Sequence, residues 1–194
     1  MRVHLRIGYV TGATPDKWAR AWRDQGRGEI TLVPLTEADQ EDAVRSGQVD
    51  MAIARLPVDT EGLHLVRLYE ELPVAVASRD HLIAAADDEI GLDDLAEEQL
   101  VLPHPSGWTP SVEQLAWPPM SERDAVETVA AGTGVALLPM SVARLYARKD
   151  VVHRTVRDLD PTQVALIWLR ERDDDATQAF VGITRGRRAG SSRG

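Results

Sequence analysis

The regular alternation of strand-forming and helix-forming segments along the first 55 residues is the feature that most restricts the fold of this chain. Three apolar segments rich in β-branched residues predict strands, at 5–10, 30–35 and 49–54. Trp18 and Trp22, four residues apart, predict a helix after the first strand, and Gly47 ends a second helix before the third strand. Such alternation with short connections is typical of a parallel sheet covered by helices, so we expect an α/β fold.

The rest of the chain predicts a second group of elements around a proline-rich loop. Further strands are predicted at 71–77, 99–102, 135–139, 151–156 and 163–169. Helices are predicted at 92–98, 122–131, 141–148 and 177–184. Residues 103–110 hold three prolines, a glycine and a serine, a composition that predicts a loop.

Charge is distributed unevenly. The 194 residues carry a net charge of −9, although residues 185–194 contain four arginines and no acidic residue. The acidic remainder repels nucleic acid. We therefore expect DNA contact only through another module, or weakly through this basic tail, since short Arg–Gly segments can enter a minor groove. The alternative for 185–194 is a disordered terminus.

Several classes of site are excluded or disfavoured. The chain has no cysteine, which excludes disulfides, Cys-ligated zinc and iron–sulfur clusters. Its five histidines are scattered, and the H-E-x-x-H and P-loop motifs are missing. We expect no metal, no cofactor and no catalysis. Without a segment of about 18 apolar residues or a signal peptide, we expect a cytoplasmic protein that does not enter a membrane.

Three segments carry a resemblance to a known family. They are L-R-I-G at 5–8, G-Q-V-D-M-A-I-A-R-L-P at 47–57 and V-A-A-G-T-G-V-A-L-L-P at 129–139. In this collinear order they resemble the effector-binding domain of LysR-type transcriptional regulators. The resemblance implies a type 2 periplasmic-binding-protein fold: two Rossmann-like subdomains joined by two crossover strands, with a small effector in the cleft between them.

The resemblance also implies domain boundaries. Subdomain I comprises 1–72 plus 163–184, subdomain II comprises 73–162, and 185–194 form the basic tail. The first crossover is expected near 72–76. Because only 111–120 separate the proline-rich loop from the next helix, we expect subdomain II to be trimmed relative to the family. The helix-turn-helix that precedes this domain in such regulators is expected to be absent, and the family implies a homodimer.

Ligands of open parallel sheets bind beyond the carboxyl ends of the strands. From subdomain I, the residues expected to contact an effector are Thr11, Gly12, Ala13, Thr14, Thr36 and Arg55. From subdomain II, they are Pro103, His104, Ser106 and Trp108.

Each of these assignments has a structural alternative. Thr14 and Thr36 stand where they would simply cap helices. The guanidinium of Arg55 can hold a carboxylate through two parallel hydrogen bonds, and the resemblance aligns it with an effector-contacting arginine in some relatives. Its alternative is a surface ion pair with Asp59 or Glu61. For the loop of His104, the alternative is a rigid exposed segment.

The sequence thus predicts a non-enzymatic domain that binds a small anionic metabolite. Two other functions stay open. One is a dimerisation module that has lost its ligand and pairs with a full-length regulator. The other is an enzyme on the same fold, for which His104 is the candidate general base.

Overall fold

The computed structural model describes residues 4–186, which form two compact α/β units. One unit consists of the residues up to Glu70 together with those from Gln163 onward, and the other of Glu71–Thr162. The structure contains a five-stranded sheet and a four-stranded sheet.

The strands are β1 (His4–Val10), β2 (Glu29–Leu35), β3 (Met51–Arg55), β4 (Leu63–Glu71), β5 (Pro73–Ser78), β6 (Glu89–Ile90), β7 (Ala136–Pro139), β8 (Val151–Val156) and β9 (Thr162–Leu169). The α-helices are α1 (Asp16–Asp24), α2 (Gln40–Arg45), α3 (Glu122–Ala130), α4 (Met140–Leu145) and α5 (Asp175–Thr184). Short 3-10 helices lie at Leu82–Ala85, Asp93–Leu95 and Arg170–Arg172.

The five-stranded sheet of the first unit has the order β2-β1-β3-β9-β4. Strand β1 pairs in parallel with both β2 and β3, whereas β9 is antiparallel to β3. All five residues of β3 are buried, as expected for a central strand covered on both faces. Because β1, β2 and β3 run in the same direction, their carboxyl ends meet at one edge of this sheet.

Helices α1 and α5 cover one face of the same sheet. Helix α1 buries Trp18 and Trp22, as their spacing predicted, and Trp22 meets the ring of Phe180 edge-on at 6.1 Å. These side chains pack in one core with Ile7 and Met51. Burying a side chain of this size contributes about 2–3 kcal/mol, so this core holds α1 and its preceding loop against the sheet.

The four-stranded sheet of the second unit has the order β6-β8-β5-β7. Central strand β5 is antiparallel to β7 and β8, and five of its six residues are buried. Helix α3 packs on it through an apolar face that includes Val126 and Val129. A capping box between Ser121 and Asp124 starts this helix.

Most predicted elements are present, with ends shifted by at most three residues, but two are largely absent. The strand predicted at 99–102 is reduced to one parallel bridge between Leu100 and Val135. Its ladder cannot extend because the Leu100 N–H donates to the Gln114 side chain at 2.7 Å, and Pro103 has no N–H. The helix predicted at 92–98 forms only the 3-10 turn Asp93–Leu95.

Strand β4 has no counterpart among the predicted elements. It lies at the end of its sheet, and edge strands carry charged residues such as Arg67 and Glu70, which hide the apolar pattern. The strand predicted at 71–77 begins instead at Pro73, in the other sheet. Proline fixes its φ angle and donates no hydrogen bond, so the ladder of β4 ends before it.

The predicted cap at Thr14 is wrong. Helix α1 starts at Asp16, its N-cap is Pro15, and no side chain caps it. Helix α5, by contrast, is capped by a side chain, because Asp174 accepts the N–H groups of Ala176 and Thr177.

Within residues 4–186, no helix combines the length and the apolar character needed to cross a membrane. Of the basic tail predicted for 185–194, Arg185 is the C-cap of α5, and everything from Arg187 onward lies outside the described residues.

We expect Gly134→Ala to destabilise the protein strongly. Gly134 has φ +117°, and a Cβ there would lie 2.3 Å from the Gln99 carbonyl oxygen. The strained backbone and the clash together predict a loss of about 3 kcal/mol or more in the free energy of unfolding, measured by urea denaturation.

The matched control is Gly132→Ala, at φ +83° but with nothing within 4 Å of the new Cβ. It should lose only about 1 kcal/mol, the cost of the left-handed backbone alone. Equal losses at the two positions would contradict the close approach of Gln99.

Candidate functional site

The loop after β1 is a tight turn at the carboxyl edge of the first sheet. The Ala13 N–H donates to the Val10 carbonyl at 3.0 Å, and Gly12 has φ +85°, which a side chain would disfavour. Thr11 is half-buried and Ala13 is buried, whereas Thr14 is exposed. Ala13 is therefore the most buried of these predicted contacts, and Thr11 is more buried than Thr14.

The loop after β2 is also a turn, and Thr36 organises it. The Thr36 hydroxyl donates to the Asp39 carboxylate at 2.6 Å and accepts the Asp39 N–H at 3.2 Å. The N-cap of α2 is Asp39, so the prediction that Thr36 caps this helix is wrong by three residues. Thr36 stabilises the turn that leads into the helix.

Arg55 ends β3 with its side chain inside the protein. The residue is 3% exposed. Nη1 donates to Glu37 Oε1 at 2.8 Å, and Nη2 donates to the Thr11 carbonyl oxygen at 2.6 Å. One guanidinium thus connects the end of β3 with the loops that follow β1 and β2.

The surface ion pair considered for Arg55 is therefore wrong, because Arg55 is buried. Asp59 and Glu61 lie instead around Arg45, whose guanidinium donates to their carbonyl oxygens at 2.8 and 2.9 Å. Arg45 also lies 3.5 Å from the Asp59 carboxylate.

Gln40, the first residue of α2, fixes the backbone of Arg55. Its side-chain Nε2 donates to the Arg55 carbonyl and its Oε1 accepts the Arg55 N–H, both at 2.9 Å. Gln40 is 5% exposed, so this two-point contact takes place out of water. The reciprocal pairing leaves the end of β3 little freedom to move.

Sequence reasoning missed both Gln40 and Glu37. For Gln40 a signal exists, because a glutamine three and four residues before the buried Ala43 and Val44 lies on the buried face of the helix. For Glu37 the sequence offers none, since the acidic residues around it look alike.

An open pocket of about 730 Å³ lies in the first unit beside α2. Its lining comprises Thr11, Pro34, Leu35, Thr36, Asp39, Asp42, Ala43, Arg45, Ser46 and Gln48. The volume suits a small metabolite. Two carboxylates and one guanidinium line it, however, so its walls disfavour an anion, and Arg55 is the better match for a negative group.

The predicted contacts of the second unit form a compact turn. The Gly107 N–H donates to the His104 carbonyl at 2.9 Å. His104 Nδ1 accepts the Ser106 N–H at 3.2 Å and lies 2.8 Å from Ser106 Oγ, which accepts the Trp108 N–H at 3.2 Å. Pro103 precedes this turn and is exposed.

Burial lowers the pKa of His104 below its usual value, because the half-buried ring loses hydration in its charged form. Acceptance of the Ser106 N–H by Nδ1 also favours the neutral ring. Within the part of the chain that the structure describes, no three histidine, aspartate or glutamate side chains group as a metal site.

The structure thus brings Thr11 and Arg55 into direct contact and places Thr36 in one pocket wall with Thr11. His104, Ser106 and Trp108 share the turn of the second unit. Among the described contacts, Thr14 makes no hydrogen bond to Arg55, Glu37 or Gln40.

We expect Gln40→Met to lower the free energy of unfolding by about 2–4 kcal/mol. The substitution keeps the side-chain length but removes the two hydrogen bonds that the Gln40 amide makes with the buried backbone of Arg55. The loss of each bond costs about 1–2 kcal/mol. Urea denaturation measures the loss. Gln48→Met makes the same change at an exposed position and should change stability by less than about 0.5 kcal/mol; equal losses would contradict the role of Gln40.

Comparison with known proteins identifies the family. The LysR substrate binding domain family matches residues 5–189. The HTH-type transcriptional regulator CatR of Pseudomonas putida is 30% identical over 174 residues, which cover 81% of this chain. The chain spans only 57% of the length of that relative.

Two solved structures share the fold. The BenM effector binding domain with its effector benzoate is 18% identical, with a TM-score of 0.76 over 94% of this chain and 90% of that one. The reduced OxyR regulatory domain from Pseudomonas aeruginosa is also 18% identical, with a TM-score of 0.74 over 95% and 96%. These similarities confirm the predicted α/β fold of the type 2 periplasmic-binding kind. Because the family matches nearly the whole sequence, this chain belongs to the LysR substrate-binding domain family, the effector-binding part of LysR-type transcriptional regulators.

Proposed function

We propose that this effector-binding domain senses a small carboxylate and that Arg55 holds the carboxylate group. The observation that carries the proposal is the burial of the Arg55 guanidinium at the sheet edge where the ends of three parallel strands meet. The benzoate effector of BenM, a carboxylate on the same fold, supports this ligand class.

The chemistry of Arg55 suits this ligand. A guanidinium is planar, stays charged at all ordinary pH values and matches the geometry of a carboxylate with two parallel hydrogen bonds. Low exposure strengthens such a bond, because little water competes for it. The contacts of Arg55 with Thr11 and Gln40 hold the group in place before any ligand arrives.

The remaining part of the effector has a mixed surface to contact in the first unit. Thr11 and Thr36 offer hydroxyl groups, and Leu35 and Ala43 offer apolar surface in the adjacent pocket. In the second unit, we keep the turn with Pro103, His104, Ser106 and Trp108 as the candidate effector contacts, together with Gly12, Ala13 and Thr14 in the first.

Several further properties belong to the same proposal. The domain acts without catalysis, metal or cofactor, in a regulator whose DNA contacts come from a separate module. It works as a homodimer in the cytoplasm, where the regulated DNA is. A domain that only reports the presence of a metabolite needs no more than a ligand-dependent change in conformation.

Isothermal titration with a panel of carboxylates, including benzoate and aliphatic mono- and dicarboxylates, tests the proposal. We expect one class to bind, and Arg55→Gln to weaken that binding by about tenfold or more, which corresponds to at least 1.4 kcal/mol. Arg23→Gln, at an exposed arginine of α1 outside the pocket lining, is the control and should bind like wild type. Circular dichroism verifies that each variant is folded.

The proposal fails if no carboxylate binds wild type, or if Arg55→Gln binds as tightly as Arg23→Gln. A chain that binds no metabolite but captures a full-length regulator would favour the ligand-free dimerisation module. Turnover of a substrate that His104→Ala abolishes would favour the enzyme.

A further inference from the structure

We propose that Glu37 is a resident carboxylate that occupies Arg55 and that the carboxylate of the effector must displace. Glu37 then determines both the affinity of the site and its selectivity for anions over neutral molecules. This inference rests on the proposed function of Arg55 and adds a residue that lies in the loop between β2 and α2.

The two partners of this ion pair differ sharply in exposure. The side chain of Arg55 is 2% exposed and that of Glu37 is 40% exposed, although Nη1 and Oε1 lie only 2.8 Å apart. Arg55 is also held by Thr11 through Nη2 and by Gln40 through its backbone. Glu37 is therefore the partner that can turn into water, while the guanidinium stays in place.

Two other carboxylates of the same segment are engaged elsewhere. Asp39 accepts the hydroxyl of Thr36, and Glu41 accepts the N–H of Asp59. Within 37–42, the recorded contact with the Arg55 guanidinium comes from Glu37, so this is the contact that an outside carboxylate can replace.

The energetics favour exchange over simple addition. A buried guanidinium that loses a carboxylate partner without replacement is destabilised, because part of its charge is then uncompensated away from water. An incoming carboxylate restores the same charge-assisted hydrogen bond, and the released Glu37 regains hydration. A neutral ligand restores neither. The apparent affinity is then the intrinsic affinity multiplied by the fraction of molecules in which Glu37 has left Arg55.

Chemical rescue tests the exchange without knowledge of the effector. Glu37→Ala removes the resident carboxylate, and we expect the melting temperature to fall by about 4 °C. Sodium acetate should then raise the melting temperature again, because acetate enters the space beside Arg55. Sodium chloride at the same ionic strength and the neutral isostere acetamide should raise it less. Glu41→Ala is the control and should respond equally to both salts.

Acetate that stabilises Glu37→Ala no more than Glu41→Ala overturns the inference. If Glu37→Ala does not fold, Glu37→Gln keeps the length of the side chain and serves in a binding measurement. With a carboxylate that binds wild type, Glu37→Gln should bind it about tenfold more tightly. Equal or weaker binding overturns the exchange while leaving the role of Arg55 intact.

The two proposals can fail separately. Rescue by acetate, together with a panel in which no larger carboxylate binds, supports the exchange at Arg55 and contradicts effector sensing. Binding from the panel that depends on Arg55 but not on Glu37 supports sensing and contradicts the exchange.

Discussion

A buried guanidinium must have its hydrogen bonds satisfied by the protein, and Arg55 imposes this constraint on the whole carboxyl edge of the first sheet. The Thr11 carbonyl and the Glu37 carboxylate accept hydrogen bonds from the guanidinium, and the Gln40 side chain holds the Arg55 backbone. These partners come from the two preceding loops and from the start of α2. The turn at Gly12 and the turn at Thr36 are therefore positioned by the same charge that we propose holds the effector.

This arrangement also explains why the domain can be both stable and responsive. The parallel strands and the core around Trp22 and Phe180 are fixed by apolar packing, which a small ligand does not alter. Glu37 is different, because its exposed side chain pairs with the buried Arg55 guanidinium and can leave it for water. Because Arg55 is fixed and Glu37 can be displaced, the site responds to the charge of a ligand while the sheet beneath it stays the same.

Much of the fold could be predicted from the sequence because local patterns determine it. The spacing of Trp18 and Trp22 marks α1, and the uninterrupted apolar strand before Arg55 marks a central position in a parallel sheet. Strand β4 was missed because an edge strand does not need an apolar pattern. The strand at 99–102 was overpredicted because the side chain of Gln114, fourteen residues away, takes a backbone N–H of that segment.

The candidate site was predictable only in part, for a related reason. The position of Arg55 follows from the strand that it ends, and the family resemblance pointed to it as well. Its partners Glu37 and Gln40 lie 18 and 15 residues away in the sequence, and their contacts depend on tertiary structure. The same limit applies to the surface ion pair considered for Arg55, which burial rules out.

The most direct test of the account is the guanidinium NMR spectrum of the arginine side chains, recorded while benzoate and then other simple carboxylates are added. The signal of Arg55, assigned by its loss in Arg55→Lys, is predicted to shift and saturate with a carboxylate that binds, whereas the signal of the exposed Arg23 follows only the ionic strength. A carboxylate that binds the domain and leaves the Arg55 signal unchanged would contradict the account.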